Sequence, residues 1–176
     1  MITKLLPLGI LLALITSASG QTIATPTVPD KMKAPAGEEV VLLAHATGVQ
    51  IYVCQAGTDG KFAWTLKAPD AELHDQQGKV IGRHYAGPTW KDIDGSEVSG
   101  KPAVKVDSPD ANSIPWVLVA VTGHSGDGVL SRVTTIQRIN TKDGMAPPAS
   151  DCNASTPNAE VKSKYTADYY FFAPGK

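Results

Sequence analysis

The densest group of chemically able side chains lies between His84 and Ser96. His84, Tyr85 and Trp90 surround a Gly87-Pro88 break, and Asp92, Asp94 and Ser96 complete a span of thirteen residues. An imidazole, two aromatic rings and carboxylates gathered on a loop are the materials of a binding site. Tyr85 and Trp90 would form an apolar platform for a sugar ring or a small organic ligand. Asp94 and Ser96 would be its polar partners, and Trp64, from an earlier segment, a further contributor. The same residues also have an architectural use. Gly87-Pro88 makes a turn, Tyr85 and Trp90 pack on a core, and Asp94-Gly95 closes a hairpin.

Other chemistry is more thinly supplied. His45, His74, Asp75, His84 and His124 are of the types that hold zinc, copper or iron. They show no His-x-His, His-Glu-x-x-His or Cys-x-x-Cys spacing, so no metal site is expected. Ser125, in Gly123-His124-Ser125-Gly126-Asp127, lacks the second glycine of a nucleophile elbow and is flanked by strand-like sequence. Asp70, Glu72, Asp75, Asp92 and Asp94 are of the type that does paired acid–base work in glycosidases, but nothing in their spacing fixes a separation. No cofactor motif is present. Asn153-Ala154-Ser155 is a glycosylation sequon beside Cys152 and matters only in a host that uses it.

The elements that must position these residues are strands. Lys61–Lys67 alternates, with Phe62, Trp64 and Leu66 on one face. Val40–Ala44 reads as a buried strand. Gly48 separates it from Val49–Gln55, in which Gln50, Tyr52 and Cys54 share a face opposite Val49, Ile51 and Val53. Ala68–Gln77 reads as a polar loop. Short strands are expected at Lys79–Tyr85 and Ala103–Asp107. A central strand is expected at Ile114–Thr122, with its partner at Val129–Ile139 bulged near Thr134-Thr135. Thr141–Ser163 reads as irregular. Tyr165–Phe172 is the last strand, with Tyr165, Tyr169 and Phe171 on one face. About eight short strands with Gly/Pro-rich turns and no amphipathic helix predict an all-β, single-domain antiparallel fold, a β-sandwich or a partly open β-barrel.

The ends and the composition bound the setting. Lys4 precedes an apolar run over Leu5–Ile15, and small residues follow up to Gly20, the layout of a secretory signal peptide cleaved before Gln21. The run is short of the ~20 residues a spanning helix needs, so no membrane insertion is expected after cleavage. The organisation is then a signal peptide over 1–20, a Pro-rich extended leader over 21–37 and a β domain over 38–176. The protein is expected to be secreted, periplasmic or extracellular. Sixteen basic against seventeen acidic residues leave no field to steer it to nucleic acid. The two cysteines, Cys54 and Cys152, in an exported chain favour a disulfide.

Tyr52-Val53-Cys54, Phe62-Ala63-Trp64, Ala68-Pro69, His84-Tyr85-Ala86-Gly87-Pro88-Thr89-Trp90, Asp94-Gly95-Ser96, Ile114-Pro115-Trp116 and Ile136-Gln137-Arg138 follow one another in a distinctive order. Together they resemble an uncharacterised family of exported proteins, a domain of unknown function found in bacteria and fungi. The resemblance covers roughly 38–172. It implies no agreed activity and no catalytic residues. Some fungal members carry the label malate dehydrogenase, which this sequence rejects. Gly126-Asp127-Gly128 is followed by Ser131 where a nicotinamide-binding turn needs its third glycine, and no helix follows.

The leading expectation is a non-enzymatic exported β domain that binds a small molecule or a surface polysaccharide through the His84–Ser96 loop. The alternatives are a metal- or carboxylate-dependent hydrolase using His84, Asp94 and His124, and a structural or stress-associated envelope protein. The disulfide is checked directly: thiol titration of the unfolded, unreduced protein is expected to find no free thiol.

Overall fold

The computed structural model describes residues 23–175. The expected signal peptide and its cleavage point lie outside them. Eight strands follow one another around a single antiparallel sheet: β1 Glu38–Ala56, β2 Phe62–His74, β3 Val80–Tyr85, β4 Thr89–Asp92, β5 Glu97–Val106, β6 Trp116–Ser125, β7 Thr135–Asp143 and β8 Glu160–Pro174. Each pairs with its neighbour in the chain, and β8 pairs back onto β1, so the ring of pairings closes as an up-and-down barrel. The architecture is all-β and antiparallel, with eight strands, as the sequence predicts.

Closing eight strands leaves an interior that side chains can fill, or that can hold one small ligand. Here small residues face large ones. Ala44, Ala46, Ala71 and Ala167 are buried beside Trp90, Tyr165, Tyr169 and Phe171. Gly48 belongs to this pattern. It does not divide two strands, as its type suggests, but lies inside one long β1. A Cβ there would stand 2.2 Å from the Asp70 carbonyl oxygen and 2.4 Å from Ala71 Cα. The glycine therefore lets β1 and β2 approach closely at this point.

Other boundaries differ from expectation for equally local reasons. Ala68–His74 continues β2 and is not a loop, because its polar residues face out while Pro69, Ala71 and Leu73 face in. Pro69 is tolerated because β2 pairs with β3 only from Ala71 onward, leaving a free edge that needs no N–H. Thr89–Asp92 forms the short β4. β7 begins at Thr135 and runs to Asp143, whereas Val129–Val133 folds as a turn that brings Leu130 and Val133 into the core. The leader is tied down. Its 3-10 turn at Asp30–Met32 lies against β5, Met32 is fully buried, and Gln137 Nε2 donates to the Met32 carbonyl at 2.6 Å.

Cys54, at the end of β1, is bonded to Cys152 with a Cα–Cα distance of 5.3 Å. The bridge fixes the long β7–β8 connection, helped by Trp64 Nε1 donating to Pro148 O at 3.2 Å and Tyr52 OH donating to Gly144 O at 2.8 Å. In the chain-entropy model a loop this long is worth about 4–5 kcal/mol.

Gly48→Ala is expected to lower the unfolding free energy by about 1–3 kcal/mol in a urea titration, as overpacking does. An unchanged midpoint would mean that β1 can move away from β2 without cost.

Candidate functional site

The site arises from an inequality of strand lengths. The β3–β4 hairpin is short: β3 meets β2 only over Ala71–His74, and β4 meets β5 only over Glu97–Ser99. Beyond the hairpin turn, β2 from Phe62 to Asp70 and β5 from Lys101 to Val106 each lack a second neighbour. The barrel wall is notched there. Leu66, Lys67 and Pro69 stand on one side of the notch, Pro102 and Lys105 on the other, and Gly87-Pro88 at its base, around a cavity of about 250 Å³.

Inside the notch the cavity reaches the barrel wall. His84 and Trp90 are paired across β3 and β4 and stack with ring centroids 4.3 Å apart and planes 8° apart. Tyr169 meets both rings edge-on, at 5.2 and 5.7 Å. Val117, Val119, Gln50 and Arg138 complete the wall. The alternation of each strand puts these side chains inward. Lys105 pairs with Val117, Val117 with Arg138, Arg138 with Tyr169, and Tyr169 with Ala44, so one rung runs from the notch across the lumen wall.

The electrostatics of this space are one-sided. Burial holds the His84 imidazole well below its ordinary value, at about 3, despite its Nδ1–H bond to the Thr89 carbonyl at 2.9 Å. His84 is therefore a neutral ring at physiological pH. Burial raises the Tyr165 and Tyr169 hydroxyls, which lie 3.4 Å apart, so neither ionises. Arg138 remains charged. One of its terminal nitrogens donates to the Pro115 carbonyl at 2.8 Å, but its Nε is buried without a partner. Gln50 Nε2 and Trp90 Nε1 are also buried without a well-formed hydrogen bond, although the Gln50 amide faces the Tyr165 hydroxyl and the Arg138 guanidinium the Tyr169 hydroxyl. Three poorly satisfied donors thus belong to residues lining one cavity. Such groups are costly and need a partner.

The structure separates the sequence-predicted residues. His84 and Trp90 come together in the lumen. Trp90 is 2% exposed and presents no ring to solvent. Tyr85 alternates away from them, and its hydroxyl donates to Glu97 Oε2 at 2.7 Å. Tyr85 and Trp90 therefore do not form a joint platform. Asp94 and Ser96 build the β4–β5 turn at the opposite end of the barrel. Asp94 Oδ1 accepts from the Ser96 N–H at 2.8 Å and its hydroxyl at 2.6 Å, and Oδ2 accepts from the Val129 N–H at 2.8 Å. These bonds, the Ser96 hydroxyl first, hold the Asp94 carboxyl below its ordinary value. Ser96 Oγ also accepts from Leu130 N at 3.1 Å, which docks the 126–134 turn. Trp64 supports the β7–β8 connection.

The remaining ionisable candidates are engaged elsewhere. His124 Nε2 donates to Val133 O at 2.7 Å, His45 pairs with Asp168 at 2.6 Å, and Asp70 pairs with Arg83 at 2.7 Å. Among the described residues no three His, Cys, Asp or Glu side chains gather as a metal would require. Gln50, Lys105, Val117, Arg138 and Tyr169 complete the lumen site. Strand parity was the available signal, since Ile136 and Arg138 share a face of β7 just as Tyr169 and Phe171 share one of β8.

A family model described as a protein of unknown function, DUF3455, matches residues 35–173. No curated protein and no solved structure matches the chain.

His84 makes stability pH-dependent. Between pH 6.5 and about 3 the unfolded chain takes up a proton at this residue that the folded chain refuses. Its contribution is fully present above that window and is lost as the pH falls through it, on the order of 5 kcal/mol in all. His84→Gln is expected to flatten the acid limb of a urea stability profile by that order. A variant profile parallel to that of the wild type would show that His84 does not control it.

Proposed function

The chain belongs to the DUF3455 family of proteins of unknown function, and we propose that it is an exported barrel that binds one small, largely apolar organic molecule in its lumen. The observation that carries this reading is the meeting of a cavity with three poorly satisfied buried donors, those of Gln50, Trp90 and Arg138, with a tyrosine hydroxyl near Gln50 (Tyr165) and near Arg138 (Tyr169). A protein that only had to fill its barrel would be better served by apolar side chains there. Aromatic walls with a few fixed polar groups are the usual composition of a small-molecule site.

The burial of Trp90 favours a small molecule over a polysaccharide, which needs exposed rings along an open face. The different hydrogen-bonded settings of His84, Asp94 and His124 support binding over a hydrolase built on those three. The export reading rests on the signal-peptide layout and on the Cys54–Cys152 bridge. No helix among the described residues is long and apolar enough to cross a membrane. Polar and charged residues such as Glu72, Arg83, Lys91 and Lys162 punctuate the outer face, opposite to the pattern of a membrane barrel. On this reading the barrel works in water.

A ligand-observed NMR screen of small aromatic and branched aliphatic molecules, with soluble oligosaccharides as the counter-set, tests the proposal. Small molecules are expected to bind the wild type. Val117→Phe, which places a ring in the lumen, is expected to lose most of that binding with its circular dichroism spectrum unchanged. Binding confined to oligosaccharides, or indifferent to Val117→Phe, would overturn the reading.

A further inference from the structure

We propose that the lumen ligand is an organic carboxylate whose charged end lies between Arg138 and Lys105. This rests on the lumen being a ligand site, and it adds the sign of the charge and the end that carries it. The two cations flank Val117 on the inner wall, since Lys105 and Arg138 are its cross-strand partners on β5 and β7. Lys105 reaches this position through a local irregularity: the pairing of β5 with β6 slips between Pro102 and Val104, which resets the alternation of the residues that follow.

No Asp or Glu lines the cavity among the described residues. A third cation at the mouth, Lys67, is already paired with Glu160. Lys105 and Arg138 form no ion pair among the described residues. A half-buried guanidinium with an Nε lacking a well-formed hydrogen bond, on the same cavity wall as an unpaired ammonium with Val117 between them, calls for an anion that can accept several hydrogen bonds. Trp90 Nε1 and Gln50 Nε2 are further donors in need of acceptors. The aromatic and valine walls require the rest of the ligand to be apolar, which an inorganic anion is not. A carboxylate on an aromatic or branched aliphatic body meets both demands.

The competing account is structural. Inward-pointing charges on a free strand edge can serve to discourage edge-to-edge association. Benzoate and benzamide, alike in shape and different in charge, separate the two accounts by isothermal titration at low ionic strength. Benzoate is expected to bind the wild type about tenfold more tightly or better, in line with charge-assisted bonding. Arg138→Gln is expected to bring the ratio of the two affinities close to one, and Arg138→Lys to retain part of it. Lys105→Ala, at the exposed mouth, is expected to weaken benzoate more than benzamide and carries the test should Arg138→Gln fail to fold. Equal affinities in the wild type would overturn the carboxylate assignment while leaving lumen binding in place. Binding of neither compound would overturn both.

Discussion

Everything in this molecule depends on the pairing of β8 with β1. It converts a meander into a ring, and a ring has an inside that must be dealt with. Fifteen residues of β8 lie along nineteen of β1, the most extensive strand contact in the protein. The inner face of β8 brings Tyr165, Tyr169 and Phe171, and the inner face of β1 answers with Ala44, Ala46 and Gly48. Large against small across one strand pair is what lets eight strands close around a packed interior. The cavity lies where this matching stops, beside the short hairpin that leaves the wall incomplete.

The polar groups of the lumen follow from the same geometry. An inward position on a closed barrel is desolvated whether its residue is apolar or not. At Gln50, His84 and Arg138 the chain accepts that cost in a region otherwise made of alanine, valine and aromatic rings. His84 meets it by staying neutral, with one nitrogen donating to Thr89 and one face covered by Trp90. Arg138 cannot become neutral and takes a backbone carbonyl as partial compensation. These are two different solutions to one constraint, and they divide the site into an uncharged aromatic half and a cationic half.

Much of the architecture was legible in the sequence because turns and alternation are local. Gly87-Pro88 and Asp94-Gly95 each mark a real reversal, and the face shared by Tyr165, Tyr169 and Phe171 is the face that is buried. The disulfide was expected from two cysteines in a chain whose first residues have the layout of a signal peptide. Less legible was which face of an ambiguous strand turns inward. In β1 the more hydrophobic set, Val49, Ile51 and Val53, faces largely outward, while Gln50 lines the inside and Tyr52 and Cys54, on the same face, meet the β7–β8 connection. Closure of the ring decides this, and it is a long-range fact. The candidate site was half legible for the same reason. His84 and Trp90 stand in one recognisable segment, but their companions come from β1, β5, β6, β7 and β8, which only the ring brings together. Tyr85, Asp94 and Ser96 were near in sequence and are turned to other tasks.

The closure between β1 and β8 also orders the events of folding. Hairpins from β2 to β7 can form as soon as their own residues are available, since each strand pairs with its immediate neighbour in the chain. The lumen cannot exist until the final strand arrives, because β1 waits for it with one edge open. Contacts between chain ends close the largest possible loop, and such contacts form late and slowly. Ring closure is then the last event of folding, and the interior of the barrel comes into being only with it.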